Sequence, residues 1–352
     1  MKIAILNDTH VGSKNGSDIF LNDAQRFFED VFFTYCDDHG IKDIIHLGDF
    51  FDNRKQINVK ALNWAYDFLI REMKKRDMDM HIIPGNHCVY YKNTNGLNSL
   101  THLKSFDNIR VYMKPEIITL GELDIAMLPW ICDENIDDSL KFVKKAKAPI
   151  LCSHLELDGF KLMGGVSLKS HGMDRKLFSR FEKVLTGHFH TKSSQDNIHY
   201  LGTQVQLTWA DANDPKYFHV LDSETRKLEA IRNPHEIFHT FHYDDSDGFE
   251  IPSNLNSVKD CFVRVVVVKK SDPYKFDSFV DAINANDPHD LKISDNYDQF
   301  SGDSVDDESI ELEDTTSLID SYIDSIETEL DKDEMKRKMH ELYRDAQSMN
   351  VI

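Results

Sequence analysis

The 352-residue sequence contains no apolar run long enough to cross a bilayer, so no membrane-spanning helix is expected. Nor does it open on a secretory signal. The N-terminus passes directly into Lys2-Ile3-Ala4-Ile5-Leu6, without the charged, apolar and small-residue zones of such a peptide, and the expected location is the cytoplasm. Its five cysteines, Cys36, Cys88, Cys132, Cys152 and Cys261, show no C-x-x-C spacing. That argues against a disulfide frame or a zinc ribbon and for reduced thiols. An overall basic surface is missing too. With 41 Lys and Arg against 61 Asp and Glu, the formal net charge is -20, which is unfavourable for unaided binding to nucleic acid, where contacts to phosphate come from basic surfaces. The charge is uneven, however: Asp295 to Glu334 is densely acidic, while basic residues gather at Arg71 to Arg76, Lys141 to Lys147 and Lys169 to Lys183.

The length exceeds one usual domain, and an apolar share of 40% supports a large core with one or two smaller units. Within that core one pattern repeats. Short apolar runs that read as buried strands end in residues able to bind metal. Lys2 to Leu6 ends in Asn7-Asp8-Thr9-His10, and Asp43 to Ile45 in His46-Leu47-Gly48-Asp49-Phe50-Phe51-Asp52. Met80 to Ile83 ends in Pro84-Gly85-Asn86-His87, Pro149 to Cys152 in Ser153-His154, and Lys183 to Leu185 in Thr186-Gly187-His188-Phe189-His190. A lone Asp-x-His or His-x-His is a weak signal, but the ordered set, each member behind a strand, points to a two-metal site at one rim of a sheet with Asp49 as the bridge. Two hard cations so held can clamp a phosphate diester and ionise water. The mixed oxygen and imidazole donors suit manganese, with iron, zinc or magnesium as alternatives. Two such cations would also offset part of the negative charge. His87, one residue past Asn86, is placed to give a proton to the leaving oxygen.

Helical periodicity predicts helices over Asn22 to His39, with Phe27, Phe28, Val31, Phe32 and Tyr35 on one face, and over Val59 to Lys74. Short strands at Ile109 to Tyr112, Ile117 to Leu120 and Leu123 to Leu128 precede a helix near Ile136 to Lys145. Tyr200 to Leu207, Tyr217 to Asp222 and Lys227 to Ile231 read as closing strands. The expected class is α/β, a mixed sandwich flanked by helices. After Asn233-Pro234, the β-prone Cys261 to Lys269 and the helical Tyr274 to Asn284 suit a small α+β cap. Asp295 to Asp314 has a linker's composition. Beyond it, Leu318, Ile319, Tyr322, Ile323, Ile326 and Leu330, then Met335, Met339, Leu342, Tyr343 and Ala346, recur at helical spacing, as in helices that dock on a partner or fold back on the cap. Arg54 and Lys55 in the loop after Asp52, and Lys169 and Lys176 around a glycine-containing loop, are candidate phosphate contacts.

Asp8-x-His10, Gly48-Asp49, Gly85-Asn86-His87, His154 and Gly187-His188-x-His190 resemble the motif set of the calcineurin-like metallophosphoesterases, over the chain up to about Ile231. The strings Gly48-Asp49-Phe50-Phe51-Asp52, Tyr91-Lys92-Asn93, Glu156-Leu157-Asp158-Gly159-Phe160 and Tyr200-Leu201-Gly202-Thr203 are similar to those of SbcD-type recombination and repair nucleases, and among them to the nuclease subunits of T-even-like tailed phages. The resemblance implies a metallophosphoesterase two-sheet sandwich over residues 1–232, a DNA-capping domain over 233–294, an acidic linker over 295–314 and a helical ATPase-binding tail over 315–352. Carried across residue by residue, it implies one metal on Asp8, His10, Asp49 and His190, a second on Asp49, Asn86, His154 and His188, and His87 as catalytic acid. The implied activity is manganese-dependent cleavage of DNA, as a 3′ to 5′ exonuclease on duplex ends and an endonuclease on single strands. The implied assembly is a homodimer within a heterotetramer with an SbcC-like coiled-coil ATPase that controls cleavage, in the host cytoplasm if the chain is phage-encoded. Three departures stand out: Cys88 replaces the Asp that usually follows Gly-Asn-His, Gln204 replaces a usual Pro, and Asp52 stands where some relatives carry a second functional His. A small-molecule or phosphoprotein phosphoesterase, and a DNA- and ATPase-holding scaffold with weak cleavage, are the alternative readings.

Overall fold

A computed structural model of the chain describes residues 1–160, 172–294 and the helical positions 323, 332, 334–336, 338 and 339. The chain divides into two compact units, Met1–Asp295 and Asn296–Ile352. Lys169, the 295–314 linker and all but the named positions of the 315–352 tail lie outside the described residues.

In the first unit, β1 (Lys2–Leu6), β2 (Asp43–His46), β3 (Asp79–Ile82) and β4 (Ile109–Val111) run parallel, and β11 (Lys216–Asp222) and β12 (Leu228–Asn233) close the sheet antiparallel in the order β12-β11-β1-β2-β3-β4. A second sheet contains β5 (Glu116–Leu120), β6 (Leu123–Leu128), β7 (Ile150–His154), β8 (Lys183–Gly187), β9 (Ser193–Gln195) and β10 (Ile198–Tyr200). Its order is β5-β6-β7-β8-β10-β9, with β6, β7, β8 and β10 parallel.

Strand alternation assigns each side chain to a layer. Ile3, Ile5 and Ile45 meet Ile125, Met127, Ile150, Cys152 and Leu185 between the sheets. Ala4, Leu6, Ile44, Met80 and Ile82 face the helices over residues 18–39 and 59–75. Ala126, Leu128, Leu151 and Val184 pack with Val143 of the helix Ile136–Lys145. The layers are therefore helix, sheet, sheet, helix. Burial on both faces explains why the central strands read as continuous apolar runs.

The first long helix begins at Asp18, earlier than the periodicity indicated, because Phe20 packs against Phe238 and Phe262 from far along the chain. It passes through a π-helical stretch, Phe28–Phe33, before ending at Gly40 with φ 63°. A left-handed residue at that position lets the helix stop without a Cβ clash. The second also contains a π-helical stretch, Ala65–Ile70, and starts at Asn58, whose side chain accepts from Lys60 N at 2.8 Å.

The expected strand over Tyr200 to Leu207 is a correction: it ends at Tyr200. The chain turns at Gly202, φ +72°, where a Cβ would come 2.7 Å from Lys192 N. Beyond it Thr203 N bonds to the His190 carbonyl at 3.0 Å, in the loop after β8, and the Thr203 carbonyl accepts from Tyr217 N of β11 at 3.4 Å.

A third, all-parallel sheet contains β13 (Phe238–Asp244), β14 (Phe262–Lys269) and β15 (Asp290–Ser294). Tyr243, Val263, Val265 and Val267 form its core with Phe276, Phe279 and Ile283 of the helix Pro273–Asn284. Strand β13 escaped the sequence reading, because His239, Thr240 and His242 interrupt its apolar pattern. All five cysteines are unpaired and buried. Among the described residues no helix is long and apolar enough to cross a membrane.

Candidate metal centre

Strands β1, β2 and β3 in one sheet and β7 and β8 in the other direct the metal-binding residues to a shared site beyond their C-terminal ends. Ligands bind there in parallel α/β sheets because the chain leaves the strands in loops free to present side chains. The first two loops prolong the ladder: Asp8 N donates to Gly48 O and His10 N to Asp49 O, both at 3.0 Å. Backbone angles are unusual here, with positive φ at Asp8 (46°), His10 (41°), Asp49 (53°) and His188 (90°). Such angles are rare outside glycine and cluster where the fold holds strained functional groups.

Asp8, His10 and His190 form one set in which a ligand atom from each lies within 4.8 Å of the others, and Asp8, Asp49 and His154 form a second. Asn86 and His188 join the second set: Asn86 Oδ1 lies 2.8 Å from His154 Nε2 and 3.0 Å from His188 Nδ1. The sequence-nominated ligands thus converge. Asp8 touches both sets, since its Oδ1 is 3.9 Å from both His10 Nε2 and His154 Nε2. Asp49 Oδ2 lies 3.1 Å from His154 Nε2, and Asp49 Oδ1 accepts the His87 N–H at 2.8 Å.

The electrostatics favour a cation. His154 gives its Nδ1 proton to the Leu47 carbonyl at 2.9 Å, which turns Nε2 toward the oxygens of Asp49, Asn86 and Asp8. A bare lone pair facing those oxygens is repulsive, so positive charge is needed between them. Burial opposes charging His154, but Asp49 and Asp8 raise its pKa overall. His10 is fully enclosed, and neither ring nitrogen makes a hydrogen bond among the described residues. Burial alone would depress its pKa, yet Asp52, Asp49 and Asp8 lift it to about 9. Asp49 is held well below the usual carboxylate range despite burial, chiefly by His154. His188, by contrast, is pushed down to about 3 by burial, the neutral form a metal requires. Divalent cations fit this donor set.

His87 donates from Nδ1 to the Asp52 carbonyl at 2.7 Å, leaving Nε2 for proton exchange, and its ring lies 4.9 Å from that of His10. Asp52, whose role the sequence left open, lies 3.4 Å from His10 Nδ1 and accepts from Ser13 Oγ. It supports that imidazole from behind, as carboxylates behind metal-bound histidines do. Cys88 is buried beside Asp49, its Sγ 3.9 Å from Oδ1, and burial pushes the thiol up to about 12. It is a neutral, weak donor to the Asp49 carboxylate. Arg54 is half-buried and feels the charge of Asp49. Lys55 and Lys176 are exposed, their backbone N–H groups bound to Asn53 and Asp174.

Several neighbours carried little or no sequence signal. Asn7 orients Asp8, donating from Nδ2 at 2.6 Å to Asp8 Oδ2 and at 2.9 Å to the Gly202 carbonyl. His46 accepts from Gly48 N and meets Thr9 Oγ1 at 3.0 Å, tying the two ligand loops together. Trp130 lies with ring centroids 5.9 and 5.6 Å from His154 and His188. Its place just after β6 was the available clue.

The family model for calcineurin-like phosphoesterases matches residues 1–221. The chain is 31% identical over 350 residues to exonuclease subunit 1 of Enterobacteria phage T4, spanning 98% of this chain and 99% of that protein. It is also 22% identical over 262 residues to the SbcD component of the SbcCD nuclease of Staphylococcus saprophyticus, spanning 65% of this chain and 67% of that protein. The corresponding SbcCD nuclease component of Staphylococcus epidermidis is 23% identical over 263 residues, with the same coverage of 65% and 67%. With its strand-end carboxylates and imidazoles, the chain belongs to the calcineurin-like phosphoesterases, a family of metal-dependent enzymes.

Proposed function

We propose that the chain is the nuclease subunit of a DNA recombination and repair complex, cutting DNA phosphodiesters as an exonuclease and endonuclease with two Mn2+ ions. The observation that carries this reading is the 98% and 99% coverage of the match to the phage exonuclease subunit. In this reading Asp8, His10, Asp49 and His190 hold one ion and Asp49, Asn86, His154 and His188 the other. When bound, the ions clamp the phosphate and make water a nucleophile at neutral pH. The chain's residues do the rest. Asp49 is assigned to both ions and Asp8 lies against both sets, Asp52 and Leu47 O orient imidazoles, and His87 gives the proton on Nε2 to the leaving oxygen while Asp52 O holds Nδ1. Burial lowers the His87 pKa, which makes its protonated form a stronger acid toward that oxygen.

Arg54, Lys55, Lys169 and Lys176 are assigned to phosphates. Residues 1–232 are the nuclease domain, 233–294 the capping domain, 295–314 a linker, and 315–352 the segment that docks on an SbcC-like ATPase within a heterotetramer. The third sheet with its own core supports a separate cap.

The test is metal analysis and turnover of the purified chain with Mn2+ on linear duplex, single-stranded DNA and a chromogenic phosphodiester. Chelator-sensitive DNA cleavage is expected. Turnover of the small diester alone would indicate a small-molecule enzyme, and DNA binding with both ions in place but no cleavage would indicate a scaffold.

A further inference from the structure

Lys216 opens strand β11, yet it is 3% exposed. Its ammonium has three donors, and three acceptors surround it: the carboxylate of Asp211, Asp214 Oδ2 at 2.9 Å and the backbone carbonyl of His190 at 3.1 Å. A buried ion pair is a poor source of stability, since apolar residues of similar volume often do as well. The third contact ties Lys216 to the loop that carries His190, whose carbonyl also accepts from Thr203 N at 3.0 Å.

The contact does not stop at Asp211. Asp211 Oδ2 accepts from Leu207 N and Thr208 N, both at 3.0 Å, and its carbonyl accepts from Gln206 Nε2 at 2.9 Å. Gln206, 1% exposed, then accepts on Oε1 from Ile237 N at 2.8 Å and Phe238 N at 2.9 Å, where β13 begins. The links from Ile237 and Phe238 through Gln206 and Asp211 to Lys216 are buried hydrogen bonds, and the last, from Lys216 to the His190 carbonyl, is part-buried; loss of a buried link would leave a polar group unsatisfied, so movement at one end is costly unless the other end follows.

We propose that Lys216 is a positioning residue for His190, and that the chain from Ile237 and Phe238 through Gln206, Asp211 and Lys216 couples the third sheet to the cation site of Asp8, His10 and His190. The inference rests on the metal-site reading above.

The experiment measures Mn2+ binding to the full chain by calorimetry and electron paramagnetic resonance, with folding checked by circular dichroism. The variants are Gln206→Leu and the double variant Lys216→Met with Asp211→Asn, which removes the Lys216 and Asp211 charges together and leaves the partly exposed Asp214 in place. Each is expected to weaken one ion about 10–100-fold, as lost support behind a ligand does, and to replace the signal of a coupled ion pair with that of a single ion. If the double variant does not fold, Lys216→Arg, which keeps the charge but changes the donor on His190, is read instead and is expected to lose affinity for the same ion. Two ions bound at wild-type affinity in either folded variant would overturn the proposal. A wild-type chain that binds no Mn2+ would sink the metal reading instead.

Discussion

Gly85 is spared a side chain by its neighbours and not by its own backbone. Its φ of -100° suits any residue, but a Cβ would collide with Asp49 Oδ1 and reach His154 Cε1 at 2.8 Å. Gly85→Ala is therefore expected to keep the far-ultraviolet spectrum and lose Mn2+ affinity, with turnover down on the order of 100-fold, the effect of a misplacement of about 1 Å. Calorimetry beside a kinetic assay checks both. His87→Ala should behave differently. The His87 contact with Asp49 is made by its backbone N–H, which alanine keeps, so metal binding is expected to persist while kcat falls by about 10²–10⁴, the usual contribution of a positioned proton donor. Parallel loss of both would assign His87 a structural role. At this scale the sequence was informative, because Asp, Asn and His behind apolar strands have few other uses. It could not indicate that Asp8, His10 and Asp49 sit at positive φ, since nothing local to those residues demands it.

The helix over residues 18–39 owes its position to aromatic packing. Phe32 is fully buried and meets Phe27, Phe28, Phe33 and Phe218 with ring centroids 5.1 to 6.2 Å apart. Phe32→Ala is expected to destabilise the chain by about 3–5 kcal/mol, read as a lower urea midpoint. An unchanged midpoint would mean that the helix is anchored elsewhere. The apolar stripe was legible in the periodicity; the π-helical stretch Phe28–Phe33 was not. A widened turn changes which side chains share a face, and here the choice rests on Phe218, which arrives from β11.

Over the whole molecule, buried imidazoles link stability to pH. His46 and His219 are both held down to about 3, first by burial, from an ordinary 6.5. At these two residues the unfolded chain takes up protons before the folded one, so their contribution to stability is complete above about pH 6.5 and is lost progressively as pH falls toward 3. Urea midpoints should decline from pH 7 to pH 5; a flat or rising trend would contradict this. Assembly is tested by truncation. If the proposed SbcC-like ATPase is the partner, deleting residues 315–352 is expected to abolish co-purification with it and leave Mn2+ binding intact, whereas retained association would move the docking site elsewhere.

Local chemistry settles where the five ligand-bearing strands end and which side chains stand at those ends, because an apolar run followed by Gly, Asp, Asn or His is readable within a few residues. It also settles the alternation that sorts Ile3 from Ala4 into different layers. Tertiary contacts settle the rest. Lys216 looks in the sequence like any surface lysine on an edge of a strand, and becomes a buried support for His190 only when Asp211 and Asp214 fold against it. The convergence of residues as distant as Asp8 and His190 follows from two mixed sheets packing face to face with their parallel strands ending at one rim, and hydrophobic burial between those sheets is what brings charges together that would otherwise repel.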